Sequence, residues 1–289
     1  MILDRKHFDI NNKCAIEKLI IKTPLRLGSV FQDEACFTYL KEGVMSITSP
    51  TDNLSIQTEE SVLLRCGNYF SNAIRKHPAK TCEVYAVHLY PDILKELYKN
   101  EFPNFIKGYA HKPYIRKIEK QGVISNFIQS LDFYFENPNL VTDDLLKLKI
   151  KELILLLLQT DNVENIITLF SHLFNPRQAG LFEVVEAHLF SPISIVDLAR
   201  LTGRSLSTFK RDFEAQFSDT PANFIKEKKL EKALELIQST ELSVSEICYE
   251  VGFQDTSNFT KTFKQKLTKV TKKFRMKITS NTALLRGEK

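Results

Sequence analysis

Two stretches of this chain repeat one another, and no other feature constrains its fold so closely. "SPISIVDLARLTGRSLSTFKRDFEAQF" spans residues 191 to 217, and "ELSVSEICYEVGFQDTSNFTKTFKQKL" spans 241 to 267. In the first, Ser194 precedes an apolar-periodic run with Asp197 three residues on, an N-cap for a helix bearing Ile195, Leu198, Ala199 and Leu201. Gly203 breaks it, and Ser205 caps a second helix with Phe209, Phe213 and Phe217 four apart on its buried side. In the second, Ser243 and Glu246 make a capping box, Val244, Ile247, Cys248 and Val251 form the buried side, Gly252 is the break, and Phe259, Phe263 and Leu267 repeat the stripe. The copies align at an offset of 49 up to the glycines and 50 beyond them, so the second turn has gained a residue.

A helix, a glycine turn and a second helix, with a small residue (Ala199 or Cys248) at the crossing, is a helix-turn-helix. One copy is a weak signal, because many helical hairpins share it; two copies with matched caps and aromatic stripes are a strong one. The second helices present Arg204, Ser207, Thr208, Lys210 and Arg211 in the first copy, and Gln254, Thr256, Ser257, Asn258, Lys261 and Lys264 in the second. Arg, Gln, Asn, Ser and Thr near a helix N-terminus reach base edges, and lysines further along meet phosphates. From Asn258 to Lys277 there are eight basic residues and no acidic one, interleaved with Phe259, Phe263, Leu267 and Phe274. Those aromatic and aliphatic residues need burial, so the lysines decorate a folded element, as a phosphate-contacting surface requires. Between the copies, Phe224, Ile225, Leu230, Ala233, Leu234 and Ile237 form one apolar stripe with Glu227, Lys228, Glu231 and Lys232 outside. An unbroken helix from Pro221 to Gln238 spans about 26 Å, a spacer on the scale of one DNA turn of roughly 34 Å.

The rest of the chain belongs to other units. At 289 residues two domains are expected, and 43% apolar with 26% charged residues is ordinary for globular protein. Met1 to Ile10 mixes Asp4, Arg5, Lys6 and Asp9 into any apolar segment, and the longest apolar run, Leu153 to Leu158, is far short of a membrane span. Five scattered cysteines indicate neither a zinc site nor a disulfide framework, so a reduced cytoplasmic location is expected. No glycine-rich phosphate loop, nucleophile elbow or metal-spaced His or Cys set occurs, which argues against an enzyme. His77 and His88 stand alone in the sequence, and a structural role without metal is expected for each.

The first ninety residues read as β-rich. "ACFTYLKEGVMSI" suggests a hairpin that places Phe37 and Tyr39, then Met45 and Ile47 beyond a Lys-Glu-Gly turn, and "SVLLRCGNYFSNAI" and "TCEVYAVHLY" add strand candidates. After Pro91, "YIRKIEKQGVISNFIQSLDFYF" carries Ile115, Ile118, Ile124, Phe127, Ile128 and Leu131 at helical spacing, and "DDLLKLKIKELILLLLQT" carries Leu145, Leu148, Leu153 and Leu156 likewise. The second of these helices suits either the core or a subunit interface. "FNPRQAG", Phe174 to Gly180, is the expected boundary, giving domains 1–174 and 177–289.

With these residues in view, the chain closely resembles the AraC/XylS family of bacterial transcription regulators over about Leu181 to Arg275. "DLA" (Asp197 to Ala199), "FKRDFEAQFSDTP", "FIKEKKLEKALELI", "SEICYEVGF" and "SNFTKTFKQKLTKVTKKFR" carry the match. It departs from the family pattern at Leu267, Thr268 and Thr271, at Lys229 where Arg is usual, and at Cys248 where Ala is. The resemblance implies an α+β chain: an N-terminal cupin-like β-barrel with dimerisation helices, then an all-α domain of two helix-turn-helix units joined by a long helix. It also implies a sequence-specific regulator, more often an activator, that binds promoter DNA, engages RNA polymerase, forms a homodimer and holds no cofactor or metal. A small-molecule effector or a regulatory protein would act through the N-terminal domain, where Phe37, Tyr39, Met45, Tyr85 or Val87 suit either the lining of a ligand space or a packed core that signals through a partner protein. A protein-interaction module with degenerate helix-turn-helix units is the competing reading.

Overall fold

Asn11 and Asn12 hold φ of 52° and 60°, closing a hairpin between Ile2–Ile10 (β1) and Lys13–Lys22 (β2). Two successive positive φ values make the tight turn that matches strand twist, and asparagine tolerates them. The computed structural model describes residues 1–31, 33–74, 80–98, 114–118, 121–160, 173 and 179–268. They fall into two compact units: Met1–Val184 with Arg200–Gly203, and Val185–Ala199 with Arg204 onward.

The first unit adds β3 (Leu25–Phe31), β4 (Ala35–Glu42), β5 (Val44–Thr48), β6 (Asn53–Gln57), β7 (Glu60–Leu64), β8 (Gly67–Ile74), β9 (Thr81–Leu89) and β10 (Ile115–Lys117). They form two antiparallel sheets, one ordered β1-β2-β9-β4-β7-β10 and the other β3-β8-β5-β6. No ladder among the described strands joins the sheets, so the expected barrel takes the form of two separate, unclosed sheets.

The expected β4–β5 hairpin does not form. β4 pairs with β7 and β9, whereas β5 pairs with β6 and β8, and the chain changes sheet at Gly43. Gly43 has φ +117°, and a Cβ there would lie 2.4 Å from Cys82 Sγ. Only glycine fits that crossing.

Three helices cover one face of the larger sheet: α1 (Pro91–Tyr98), α2 (Gln121–Glu136) and α3 (Asp143–Thr160). Ile16, Phe37, Tyr39, Tyr85 and Val87 pack in one core with Ile124, Phe127, Ile128, Leu131, Ile150, Leu153 and Leu157. The helix expected from Tyr114 begins only at Gln121, because Ile115–Lys117 is captured as a strand on β7 and buries Ile115 and Ile118 there. Spacing by three fits a helix, but an open sheet edge overrides so short a signal. On α3 the buried stripe is Leu146, Ile150, Leu153, Ile154 and Leu157, while Leu148 and Leu155 are 62% and 48% exposed. The helix therefore has a core face and, on its outer side, two leucines seven residues apart among charged and polar neighbours.

The division falls within α4 (Leu181–Ala187) and α5 (Ile195–Leu201), and the second unit contains α6 (Leu206–Phe217), α7 (Pro221–Ser239), α8 (Val244–Glu250) and a helix over 256–268, here α9. Thr220 caps α7 by accepting from the Asn223 amide, with Pro221 in the first turn where its missing N–H costs nothing. The first half of α7 meets α6 through Phe224, 5.5 Å from the Phe213 ring and 4.8 Å from Phe217. Its second half buries Leu230 and Ala233 against Ile247, Cys248, Val251, Phe259 and Phe263. Three residues expected inside lie outside: Val244, Ile237 and Leu267 are 55%, 42% and 38% exposed, the first two near the ends of their helices.

Candidate nucleic-acid interface

The two helix-turn-helix copies share a turn at the level of single hydrogen bonds. Gly203 N donates to Arg200 O and Arg204 N to Ala199 O; 49 residues on, Gly252 N donates to Tyr249 O and Phe253 N to Cys248 O. The turn glycines have φ of 68° and 77°. Next come the caps, Ser205 accepting from Thr208 N and Asp255 accepting from Ser257 N and Asn258 N. Since Ser205 and Asp255 are 50 apart, the inserted residue is Gln254, between turn and cap. Ser243 and Glu246 complete the capping box on α8, and Ser194 caps Asp197 N on α5.

The site residues fall into two groups by how their polar groups are used. On α6, Ser207, Lys210 and Arg211 are exposed, with the Arg211 side chain 77% accessible and 3.2 Å from Asp212. On α9, Ser257, Asn258, Lys261 and Lys264 are exposed and recur at one-turn steps, so they share a face. Asn258 is braced by Thr262, whose hydroxyl donates to its backbone carbonyl at 2.8 Å and lies 3.4 Å from Oδ1.

The other four are engaged within the fold. Arg204 is half-buried, its Nε donating to Asp212 at 3.1 Å, and this pairing, with that of Arg211, holds the Asp212 carboxyl below its usual range. Thr208 contributes its amide and hydroxyl to the Ser205 cap. Gln254 Nε2 donates to the carbonyl of Pro192 at 3.2 Å, and Thr256 is half-buried, its backbone carbonyl accepting from the Thr260 hydroxyl at 2.7 Å. In the basic block, Lys266 pairs with Glu227 and Glu231 of α7, so its charge is partly spoken for. Lys269, Lys272, Lys273, Arg275 and Lys277 lie outside the described residues, as do His77 and the boundary residues 174–178.

Sequence reasoning missed two positions. Asp255 was not singled out in the sequence and is the N-cap of α9. Lys229, singled out in the sequence only as a departure from the family pattern, lies in the lysine run "KEKK" and is buried, its ammonium 2.9 Å from Ser191 O and 2.8 Å from Gly252 O. Burial lowers its pKa. A lysine in that run carries no mark separating it from its neighbours; only helix phase points it inward.

In the first unit the sheets enclose a cavity of about 100 Å³. Of the residues expected to line a ligand space, Met45 does so; Phe37, Tyr39, Tyr85 and Val87 face the helices instead. Side chains alternate across a strand, so β4 and β9 turn Cys36, Thr38, Val84, Ala86 and His88 to the cavity. His88 does not stand alone: its ring nitrogens are 3.4 Å from Glu17 and 3.0 Å from Glu34. Burial opposes charge on His88, but Cys36, Cys14 and the two carboxylates outweigh it and raise its pKa.

Known proteins share both halves of the chain. Residues 35–169 match the model of the ExsA N-terminal regulatory domain, and residues 198–277 match a helix-turn-helix domain model. The virulence regulon transcriptional activator VirF of Yersinia enterocolitica is 23% identical over 242 residues, 78% of this chain and 83% of VirF. The chain belongs to the AraC/XylS family of transcription regulators. This AraC/XylS protein is also 27% identical to the HTH-type transcriptional regulator ExsA of Pseudomonas aeruginosa over 119 residues, 41% of this chain and 43% of ExsA. Among solved structures, ToxT of Vibrio cholerae bound to a methylnaphthalenyl butenoic acid aligns over 86% of this chain and 94% of its own at 11% identity, TM-score 0.38. As a member of the AraC/XylS family the chain is a DNA-binding transcription regulator with a β-rich N-terminal domain ahead of its helix-turn-helix domain. No helix among its described residues is long and apolar enough to cross a membrane.

Proposed function

We propose that this chain activates transcription by reading promoter DNA through α6 and α9, under control of its β-rich N-terminal domain. The observation that carries this reading is the turn built twice with the same backbone hydrogen bonds, at the two ends of one helix. With 19 residues, α7 extends about 28 Å. That length suits two recognition helices addressing neighbouring major-groove faces. Activation is favoured by the likeness to VirF, a virulence regulon transcriptional activator.

In this reading Ser207, Lys210 and Arg211 on α6, and Ser257 and Asn258 on α9, address base edges, while Lys261 and Lys264 hold phosphates. Arg204, Thr208 and Gln254 serve the interface by positioning, because their polar side chains are used inside the fold, and half-buried Thr256 does so through its backbone carbonyl. RNA polymerase is the partner an activator requires. The outward Leu148 and Leu155 on α3 supply a face for a homodimer, and the inter-sheet cavity admits a small effector, with a regulatory protein as the other possible input. A cytoplasmic location follows from that role.

The test is binding of the full chain to a promoter fragment across salt concentrations. Several phosphate contacts make log K fall linearly with log salt, with a slope of about 0.9 per contact. A flat dependence, or no binding at low salt, overturns the reading in favour of an interaction module with degenerate helix-turn-helix units. Sedimentation of wild type and a Leu148→Asp/Leu155→Asp variant tests the dimer, which the double substitution is expected to dissociate.

A further inference from the structure

The β1–β2 ladder contains an irregularity beside His88. Phe8 pairs with Ile16 and Asp9 with Cys14, leaving Ala15 without a partner. An extra residue of this kind bends a strand and re-aims a side chain, and such bulges concentrate beside functional sites. Here it brings Cys14 next to Glu17, and the neighbouring strand β9, on which Glu17 pairs with Ala86, supplies His88. One ligating atom from each of Cys14, Glu17 and His88 lies within 4.8 Å of the other two.

We propose that Cys14, Glu17 and His88 form a binding site for a divalent transition-metal ion of the zinc class. Ligands 2.0–2.3 Å from a tetrahedral ion stand about 3.3–3.8 Å apart. The 3.4 Å between His88 Nε2 and Glu17 Oε1 already meets that spacing, and Cys14, half-buried at the strand start, closes the remainder by a small side-chain movement. A thiolate, an imidazole and a carboxylate suit zinc or cobalt and poorly suit magnesium or calcium.

The surroundings are those of a supported ligand set. His88 Nδ1 is 3.0 Å from Glu34 Oε2, the carboxylate that fixes a ligating histidine's tautomer, and the Tyr90 ring stacks on the imidazole with centroids 6.2 Å apart. Glu17 uses Oε2 for Arg5 Nε at 2.9 Å, which leaves Oε1 directed at His88. The Arg5 guanidinium is also 4.0 Å from Cys14 Sγ. Glu17 and His88 both line the inter-sheet cavity, so a fourth position opens onto it. The signal escaped the sequence because the ligands are one of each type on two distant strands, with no histidine pair or Cys-x-x-Cys to mark them.

The experiment titrates chelator-treated full-length protein with cobalt(II) alone. One equivalent per chain is expected, with thiolate-to-cobalt charge-transfer absorption. Cys14→Ser should abolish that absorption and Glu34→Gln should weaken binding about 10- to 100-fold, while Cys36→Ser, altering another thiol of the same cavity, should leave the absorption intact. Glu17→Gln gives a second reading if Cys14→Ser misfolds by circular dichroism, and should weaken binding at least tenfold. Absence of stoichiometric binding, or charge-transfer absorption unchanged in both Cys14→Ser and Glu17→Gln, would leave His88 as a hydrogen-bonded core cation and overturn the site.

Discussion

Lys229, in the middle of α7, donates to the carbonyl oxygen of Gly252 at 2.8 Å, inside the turn of the second helix-turn-helix. The same ammonium reaches Ser191 O at 2.9 Å, ahead of the first copy. One buried cation thus ties the spacer helix to the segments that orient both recognition helices. Gln254, donating to Pro192 O, braces the same junction from the other side.

Lys229→Met should destabilise the C-terminal unit by about 1–3 kcal/mol, because two carbonyls lose their donor. Lys229→Arg should recover most of it. The folded-state pKa lies below the ordinary 10.5, so between that lowered value and 10.5 the unfolded chain holds a proton the folded chain lacks. Wild-type stability should therefore rise with pH across that alkaline window relative to Lys229→Met. Denaturant melts of both proteins at several pH values check this, and parallel curves would contradict it.

Gly252→Ala should cost more than about 2 kcal/mol and abolish DNA binding. The residue holds φ +77°, and an added Cβ would stand 2.2 Å from the backbone oxygen of Phe190. Strain of about 1–3 kcal/mol comes from the backbone alone, before the clash with an atom that cannot swing away. Thermal melts and gel shifts on one preparation suffice.

Arg211→Ala and Asn258→Ala should change which sequences are bound, with losses of about 1–3 kcal/mol confined to particular base positions. Lys264→Ala should weaken every sequence alike and reduce the salt slope by about 1. Arg204→Ala, removing one of the two arginine partners of Asp212, should act through stability instead. Selection of bound sequences from a random pool with each variant separates the cases; unchanged preferences in the first two would remove them from the interface.

Asp132 on α2 joins Lys18 at 2.9 Å, Lys41 at 2.7 Å and the Tyr85 hydroxyl, clamping the helix to the sheet. Burial raises its pKa, but these partners outweigh burial and bring it below the ordinary 3.8. The carboxylate's contribution is thus full above 3.8 and lost as pH falls through the lower folded value. Asp132→Asn should cost about 1–2 kcal/mol at neutral pH, a figure kept low because the cluster is partly screened by solvent. The gap to wild type should close in acid, and a constant gap down to pH 2 would refute the assignment.

The helical unit was legible because its signals are local. Ser205, Ser243 and Glu246 cap in sequence what they cap in space, and Phe209, Phe213, Phe259 and Phe263 face inward by period alone. The N-terminal region was legible only as strands. Phe37 and Met45 look like two sides of one hairpin, yet Gly43 sends them to different sheets, and Ile115 looks helical until β7 offers it an edge. Strand partners are chosen by distant segments, and short apolar periods do not encode that choice.

By itself the sequence determined the caps, the turn glycines, the aromatic stripes and the offset change that marks an inserted residue, since each depends on neighbours within about a turn of helix. Only the tertiary structure decided that Gln254 is the insertion and is engaged with Pro192, that Lys229 is buried while Lys228 is exposed, and that Cys14 meets Glu17 and His88. Those outcomes depend on helix phase, strand register and a bulge, which a chain fixes only when remote segments close on one another.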